Sequence, residues 1–265
     1  MPCGVKLFFA ALLSVFTLTG ISGAHATDRL KEQQYDFTVT WSVAPDMPLA
    51  SGAVRLEEDS RLYTIVLDAT AKLTVPRIDW RGIFATQGNI IANGRSPQRF
   101  ERSSMRRTLR EDVIVSWSDD PSPTTITWRI PSHVKIQREQ VPIEEIVGAV
   151  DPLTFALGIL DSVRSTNGES CEINQKTWDG ARLFELTATT KEALIGSFTV
   201  CRVMYHTVKG LRKDNPWVNA EEKVSRFVRF EKKYGVWHPV SVNISGIFLG
   251  FESEFITKLT NAISG

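Results

Sequence analysis

The sequence is poor in the side chains that carry most protein chemistry. It holds three cysteines and four histidines in 265 residues. His133, His206 and His238 stand far apart, and no Cys-x-x-Cys or His-x-x-x-His pair occurs. Zinc takes three or four ligands, usually closely spaced, so no metal or cofactor is expected. The formal net charge is +1, from 31 Lys and Arg against 30 Asp and Glu. Such a balance lacks the basic excess that nucleic-acid binding draws on, and no nucleic-acid partner is expected. Gly-x-Ser-x-Gly, His-Glu-x-x-His, phosphate-loop and dinucleotide fingerprints are all missing. Ser132 to Lys135 fits Ser-x-x-Lys in letters only, because that chemistry wants its serine at a helix start and this one follows Pro131 in strand-like surroundings. No catalytic residue is assigned, and the chain reads as a non-enzyme.

Long apolar runs are also absent, with one exception at the start. Lys6 precedes an apolar stretch from Leu7 to Ile21, followed by Ala24-His25-Ala26. That small-x-small pattern marks a signal peptide over 1–26, cut before Thr27. The run is short of the roughly 20 apolar residues that span a bilayer. The mature chain, 27–265, is expected to be a soluble periplasmic protein. Cleavage removes Lys6 and no acid, which leaves 30 cations against 30 acids. It also removes Cys3. Cys171 and Cys201 remain, in a compartment where thiols pair, and a disulfide between them is the expected state. A metal role would need more ligands nearby. A nucleophilic role would need a histidine partner in space, which spacing alone does not decide.

What the sequence has in abundance is strand signal. "YDFTVTWSV" (35–43) alternates apolar and polar residues, and similar runs recur along the first half, separated by Asp59-Ser60, Asn93-Gly94, Ser96-Pro97 and a turn around Asp119 to Pro123. One segment keeps a helical period. In "DPLTFALGILDSVRS" (151–165), Asp151 is an N-cap and Pro152 opens the helix. Leu153, Ala156, Leu157, Leu160 and Val163 form a single apolar stripe, and Asn167-Gly168 stops it. Strands then resume, with Asp179-Gly180 and Tyr234-Gly235 as hairpin turns. The expectation is a mainly β, single domain over 27–265. A large antiparallel sheet curls into an open or half barrel around one principal helix.

Candidate binding groups are few. Arg102, Arg106 and Arg110 fall at a spacing that would put all three on one strand face, or equally on one helix face, where guanidinium groups can grip a phosphate or carboxylate. The bland alternative is a solvated outer face. Phe37, Trp41, Trp80, Phe84, Trp128, Phe248 and Phe251 can face inward. The acidic pairs Glu57-Glu58, Glu144-Glu145 and Glu221-Glu222 read as solvated faces, and 211–223 as an elongated polar loop.

The order of motifs from residue 35 to 259 resembles an uncharacterised exported bacterial family, domain-of-unknown-function family 3108. The likeness rests on "VDPLTFALGIL", a cysteine, "TWDGARLFELTATT", "FTVCRVMYHTVKG" and the Pro-containing "VRFEKKYGVWHPVSVNIS", with "GNIIANGRSPQRFERS" upstream. The resemblance implies a periplasmic β-rich protein whose open barrel is similar to that of lipoprotein carriers, and it supplies no catalytic residues. The function expected is binding of a lipid or lipoprotein-like envelope component within the curled sheet. The alternatives are an envelope interaction protein without a small ligand, or a hydrolase using a Ser or Cys near His206 or His238.

Overall fold

In a computed structural model of the chain, the described residues are 31–73, 78–92, 94–106, 109–117, 123–129, 139–210, 224–248 and 251–261. The signal segment, Ser132 to Lys135 and 211–223 lie outside them. So do the side chains of Trp128, Phe248 and Phe251.

Among the described residues, seven strands precede the helix: β1 (Lys31–Trp41), β2 (Ala44–Glu58), β3 (Leu62–Leu73), β4 (Ile78–Ile91), β5 (Gly94–Arg106), β6 (Leu109–Trp117) and β7 (Pro123–Arg129). A 3-10 turn, Ile143–Glu145, leads into α1 (Pro152–Ser165). Six strands follow: β8 (Ile173–Trp178), β9 (Leu183–Leu194), β10 (Phe198–Lys209), β11 (Ser225–Lys233), β12 (Val236–Phe248) and β13 (Phe251–Asn261). All 13 belong to one sheet in the order β7-β6-β5-β4-β3-β2-β1-β13-β12-β11-β10-β9-β8. Each half is therefore a meander of neighbouring hairpins. The halves join where β1 pairs antiparallel with β13, from Tyr35 opposite Asn261 to Trp41 opposite Phe255. The sheet is not closed into a barrel: β7 and β8 are its two edges. In the chain, α1 lies on the connection between those edges, which carries it across the concave face.

Period-two alternation decides which side chains line that face. Tyr35, Phe37 and Val39 of β1 are buried while Asp36 and Thr38 are exposed. Register carries the pattern across the sheet. Leu56, Ile65, Thr86, Phe100 and Val115 form one buried row on neighbouring strands. Helix α1 packs between the two halves, against β4 and β5 on one side and β8 and β12 on the other, with Leu157, Leu160 and Val163 fully buried. Beyond the helix start the concave face is filled by Phe37, Trp80 and Phe84. These rings need glycines beneath them. A Cβ at Gly52 would strike the Phe37 ring, and one at Gly82 would strike Trp80 and Phe84.

Asp151 caps α1 as expected, accepting from the amides of Leu153 (2.9 Å) and Thr154 (3.1 Å). The Asp179-Gly180 turn also forms. The Asp179 carboxylate accepts from the amides of Ala181 (2.8 Å) and Arg182 (2.6 Å), and Gly180 takes φ +81°. At Tyr234-Gly235 both residues have positive φ, 51° and 84°, as a two-residue turn matched to strand twist requires.

The arginine row is the main correction. Arg102 and Arg106 lie on β5, but the chain turns after them and Arg110 lies on β6. There Arg110 pairs with Met105, whereas Arg106 pairs with Leu109. Side chains opposite each other share a face, so Arg102 and Arg106 face inward and Arg110 faces outward. The spacing misled because a hairpin, not a straight strand, separates the second arginine from the third.

Candidate functional site

Among the described residues, the concave face carries three groups of polar side chains set among apolar rows. The first surrounds the start of α1. Asp151 has no exposed surface, and besides the two cap amides it accepts from the hydroxyls of Thr86 (2.7 Å) and Thr154 (2.5 Å). The Tyr63 hydroxyl meets Thr154 at 2.7 Å. Burial pushes the Asp151 carboxyl up from its ordinary value, and the hydrogen bonds from Thr154, Thr86 and Leu153 pull it back. Burial likewise raises Tyr63, with the Asp151 charge adding to the rise. This is a dry, neutral-donor cradle for one carboxylate.

The second group surrounds the end of α1. Arg95 of β5 binds Asp161 of the helix through two contacts (2.7 and 3.0 Å), reaches Glu58 of β2 at 3.2 Å, and lies 5.1 Å over the Tyr63 ring. Burial acts to lower the Arg95 value, but the two carboxylates outweigh it and hold the guanidinium above its ordinary range. Arg164, on the last helical turn, is lowered by burial. His238 is 6% exposed, and its Nδ1 stands 3.5 Å from the Tyr35 hydroxyl. Burial lowers its value, and Lys233 and Arg164 lower it further. Glu58, expected on a solvated face, is thus an ion-pair partner with a side chain only 13% exposed. Glu145, partly exposed, pairs with Lys209 while its backbone oxygen accepts from Lys176.

The third group lies where the two meanders approach each other. Arg102, whose side chain is 6% exposed, binds Glu111 of β6 at 2.6 Å and approaches the fully buried Asp179 at 3.6 Å. Asp179 also pairs with Arg182 at 3.2 Å. From there a line of stacked groups runs across three strands. Arg182 lies 4.8 Å over Phe184, Phe184 meets Tyr205 edge-on at 5.8 Å, and Arg226 lies 4.1 Å over Tyr205. Arg226 itself is 2% exposed. At the rim of the same face Trp41, 37% exposed, stacks on Phe255 at 6.4 Å. Guanidinium on an aromatic face is attracted by the ring quadrupole, more strongly where water is excluded. Sequence reasoning found Arg102 and Arg106 but missed Arg182 and Arg226. Arg226 occupies an inward position of β11, where strand phase was the signal that could have found it, whereas Arg182 lies in the β8–β9 turn and had no such signal.

Cys171 and Cys201 form a disulfide, with Cα atoms 6.1 Å apart and both residues buried. The bridge ties the segment after α1 to β10, and a thiol in a disulfide is no nucleophile. His206 is exposed on the opposite face of β10. Among the described residues no three His, Cys, Asp or Glu side chains gather to hold a metal ion. Among them, too, no helix is long and apolar enough to cross a membrane.

No protein-family model matches the chain, and no curated protein matches it. A solved structure described as a beta-barrel-like protein of domain of unknown function DUF1849 from Brucella abortus aligns at a TM-score of 0.39 with 9% identity, over 86% of this chain and 94% of that one.

Proposed function

We propose that this chain is a non-catalytic periplasmic protein that holds an amphiphilic envelope component, lipid- or lipoprotein-like, against the concave face of its sheet. The observation that carries this reading is that Arg102 and Arg106 face inward, that Arg182 and Arg226 lie over the rings of Phe184 and Tyr205 on the same face, and that a partly exposed Trp41 stacks on Phe255 at its rim. Guanidinium groups suit an anionic head, and the aromatic rim suits an apolar chain. The order of sequence motifs, which resembles family 3108, and the paired cysteines agree with an exported protein of this kind. Arg110, on the outer face, has no part in it.

The experiment is lipid extraction and native mass spectrometry of protein purified from a periplasm, followed by titration with dioleoyl phosphatidylglycerol and phosphatidylcholine. A co-purifying amphiphile is expected, with weaker binding of the anionic lipid in Arg106→Gln than in Arg110→Gln. Equal binding by both variants overturns the arginine assignment.

One observation favours a second reading, an envelope interaction protein with no small ligand. The rings that fill the concave face beyond α1 are tightly covered: Trp80 is 4% exposed, Phe84 1% and Phe37 7%. A protein that neither carries nor binds either lipid establishes that reading instead.

A further inference from the structure

We infer that the line between the β8 edge and the concave face of β5 and β6 is where this sheet opens, with Arg102 and Asp179 as its latch. The sheet has two kinds of boundary. Every neighbouring strand pair is held by a backbone ladder of six or more paired positions. Across this one line, among the described residues, the two meanders meet through side chains.

The contacts can be followed along the line. The free edge of β8 is covered by Val150, whose amide donates to the Lys176 carbonyl (3.0 Å) and whose carbonyl accepts from the Trp178 amide (2.7 Å). The 149–154 segment is then tied to β3, β4 and β6 by three side chains. The Trp117 indole donates to the Ala149 carbonyl (3.0 Å), Thr86 donates to Asp151 (2.7 Å), and Tyr63 meets Thr154 (2.7 Å). At the far end the β8–β9 turn tucks under β6, where Gly180 packs against Val113 and Val115 with no room for a Cβ. Beside it Asp179, with no exposed surface, approaches Arg102.

A boundary made of a few side-chain contacts opens at lower free energy than a ladder of backbone hydrogen bonds, because fewer cooperative contacts break together. The buried Arg102–Asp179 pair sets the cost of that opening. Removing either charge leaves Arg102 on Glu111 or Asp179 on Arg182, each within its own meander, and takes away the attraction that crosses the seam, so the closed state is weakened relative to the open one. The close packing of Trp80, Phe84 and Phe37 makes an opening line useful, since a guest reaches that face only after the walls part. That last step rests on the function proposed above; the seam itself does not.

The test compares the full-length mature protein with Asp179→Asn and Arg102→Gln. Asparagine keeps the oxygen that accepts from Ala181 and Arg182, so the turn survives while the charge goes. Amide hydrogen exchange is read on peptides from β6 and from 173–182, against control peptides from the β1–β13 pair. Exchange should accelerate about tenfold or more at the seam and stay within about twofold in the control. Acceleration spread evenly over both regions, or none at the seam, overturns the inference. Uptake of cis-parinarate is then measured. Faster association in the variants supports the seam as the way in, and equal rates with a parent that does bind overturn that step. A parent that binds no parinarate while exchange is selective at the seam supports the opening line and counts against the proposed function alone.

Discussion

The two ends of α1 meet the same sheet by opposite means. At the start, one carboxylate with no exposed surface is satisfied by two amides and two hydroxyls, none of them charged. At the end, Asp161 keeps a side chain 34% exposed and is held by a guanidinium that it shares with Glu58. A buried charge without its donors is costly, whereas an ion pair near water loses little when one partner goes. The lesson is that the start of the helix, near the seam, is where the fold is exacting, and the end is tolerant because the Cys171–Cys201 bridge holds it independently.

The largest effect should come from neither end. Leu157, midway along α1, is fully buried, so Leu157→Ala is expected to destabilise the protein by about 2–5 kcal/mol in denaturant titration. A loss smaller than that of the capping variant below would mean the helix is held by its ends and not by its middle. Next, replacing Cys171 and Cys201 by serine reopens a loop of sequence separation 30 and should cost about 3–4 kcal/mol on the chain-entropy estimate. The bridge itself is checked by intact mass with and without reductant after alkylation. Two free thiols in protein from an oxidising compartment would remove the independent hold on the helix end.

The comparison itself is tested by a pair of variants. Asp151→Ala removes the cap and leaves Thr86, Thr154 and two amides without their acceptor, an expected loss of about 2–3 kcal/mol. Asp161→Asn should cost about 1 kcal/mol, because Asp161 itself is 34% exposed, asparagine keeps an oxygen for Arg95, and Glu58 still pairs with that guanidinium. Equal losses in the two would erase the distinction between the ends. The smallest effect is a slope with pH. His238 has a folded-state value below its ordinary 6.5, so the unfolded chain binds the proton first as pH falls. Stability should therefore be full above about pH 6.5 and decline as pH drops toward the lowered folded value. Circular-dichroism melts of His238→Gln should show a weaker decline over that window. An unchanged slope would assign it to other groups.

Much of this could be read before any fold was known. The Asp-Pro start, the apolar stripe of α1 and the two hairpin turns with glycine are local: a cap needs only its own amides, and a left-handed turn position needs only the residue that tolerates it. The cysteine pairing followed from count and compartment. The arginine row failed because strand phase and hairpin position decide facing. A sequence interval of four is the same whether the chain runs straight or turns back.

By itself, then, the sequence determined the β-rich class and the long helix with its cap, since each depends on neighbours in the chain. Tertiary structure alone decided that Arg102 meets Asp179, that Glu58 shares Arg95 with Asp161, and that the two meanders meet along a side-chain seam. Those contacts join positions 77, 66 and 37 residues apart, and no periodicity reports which concave rows a curled sheet brings face to face.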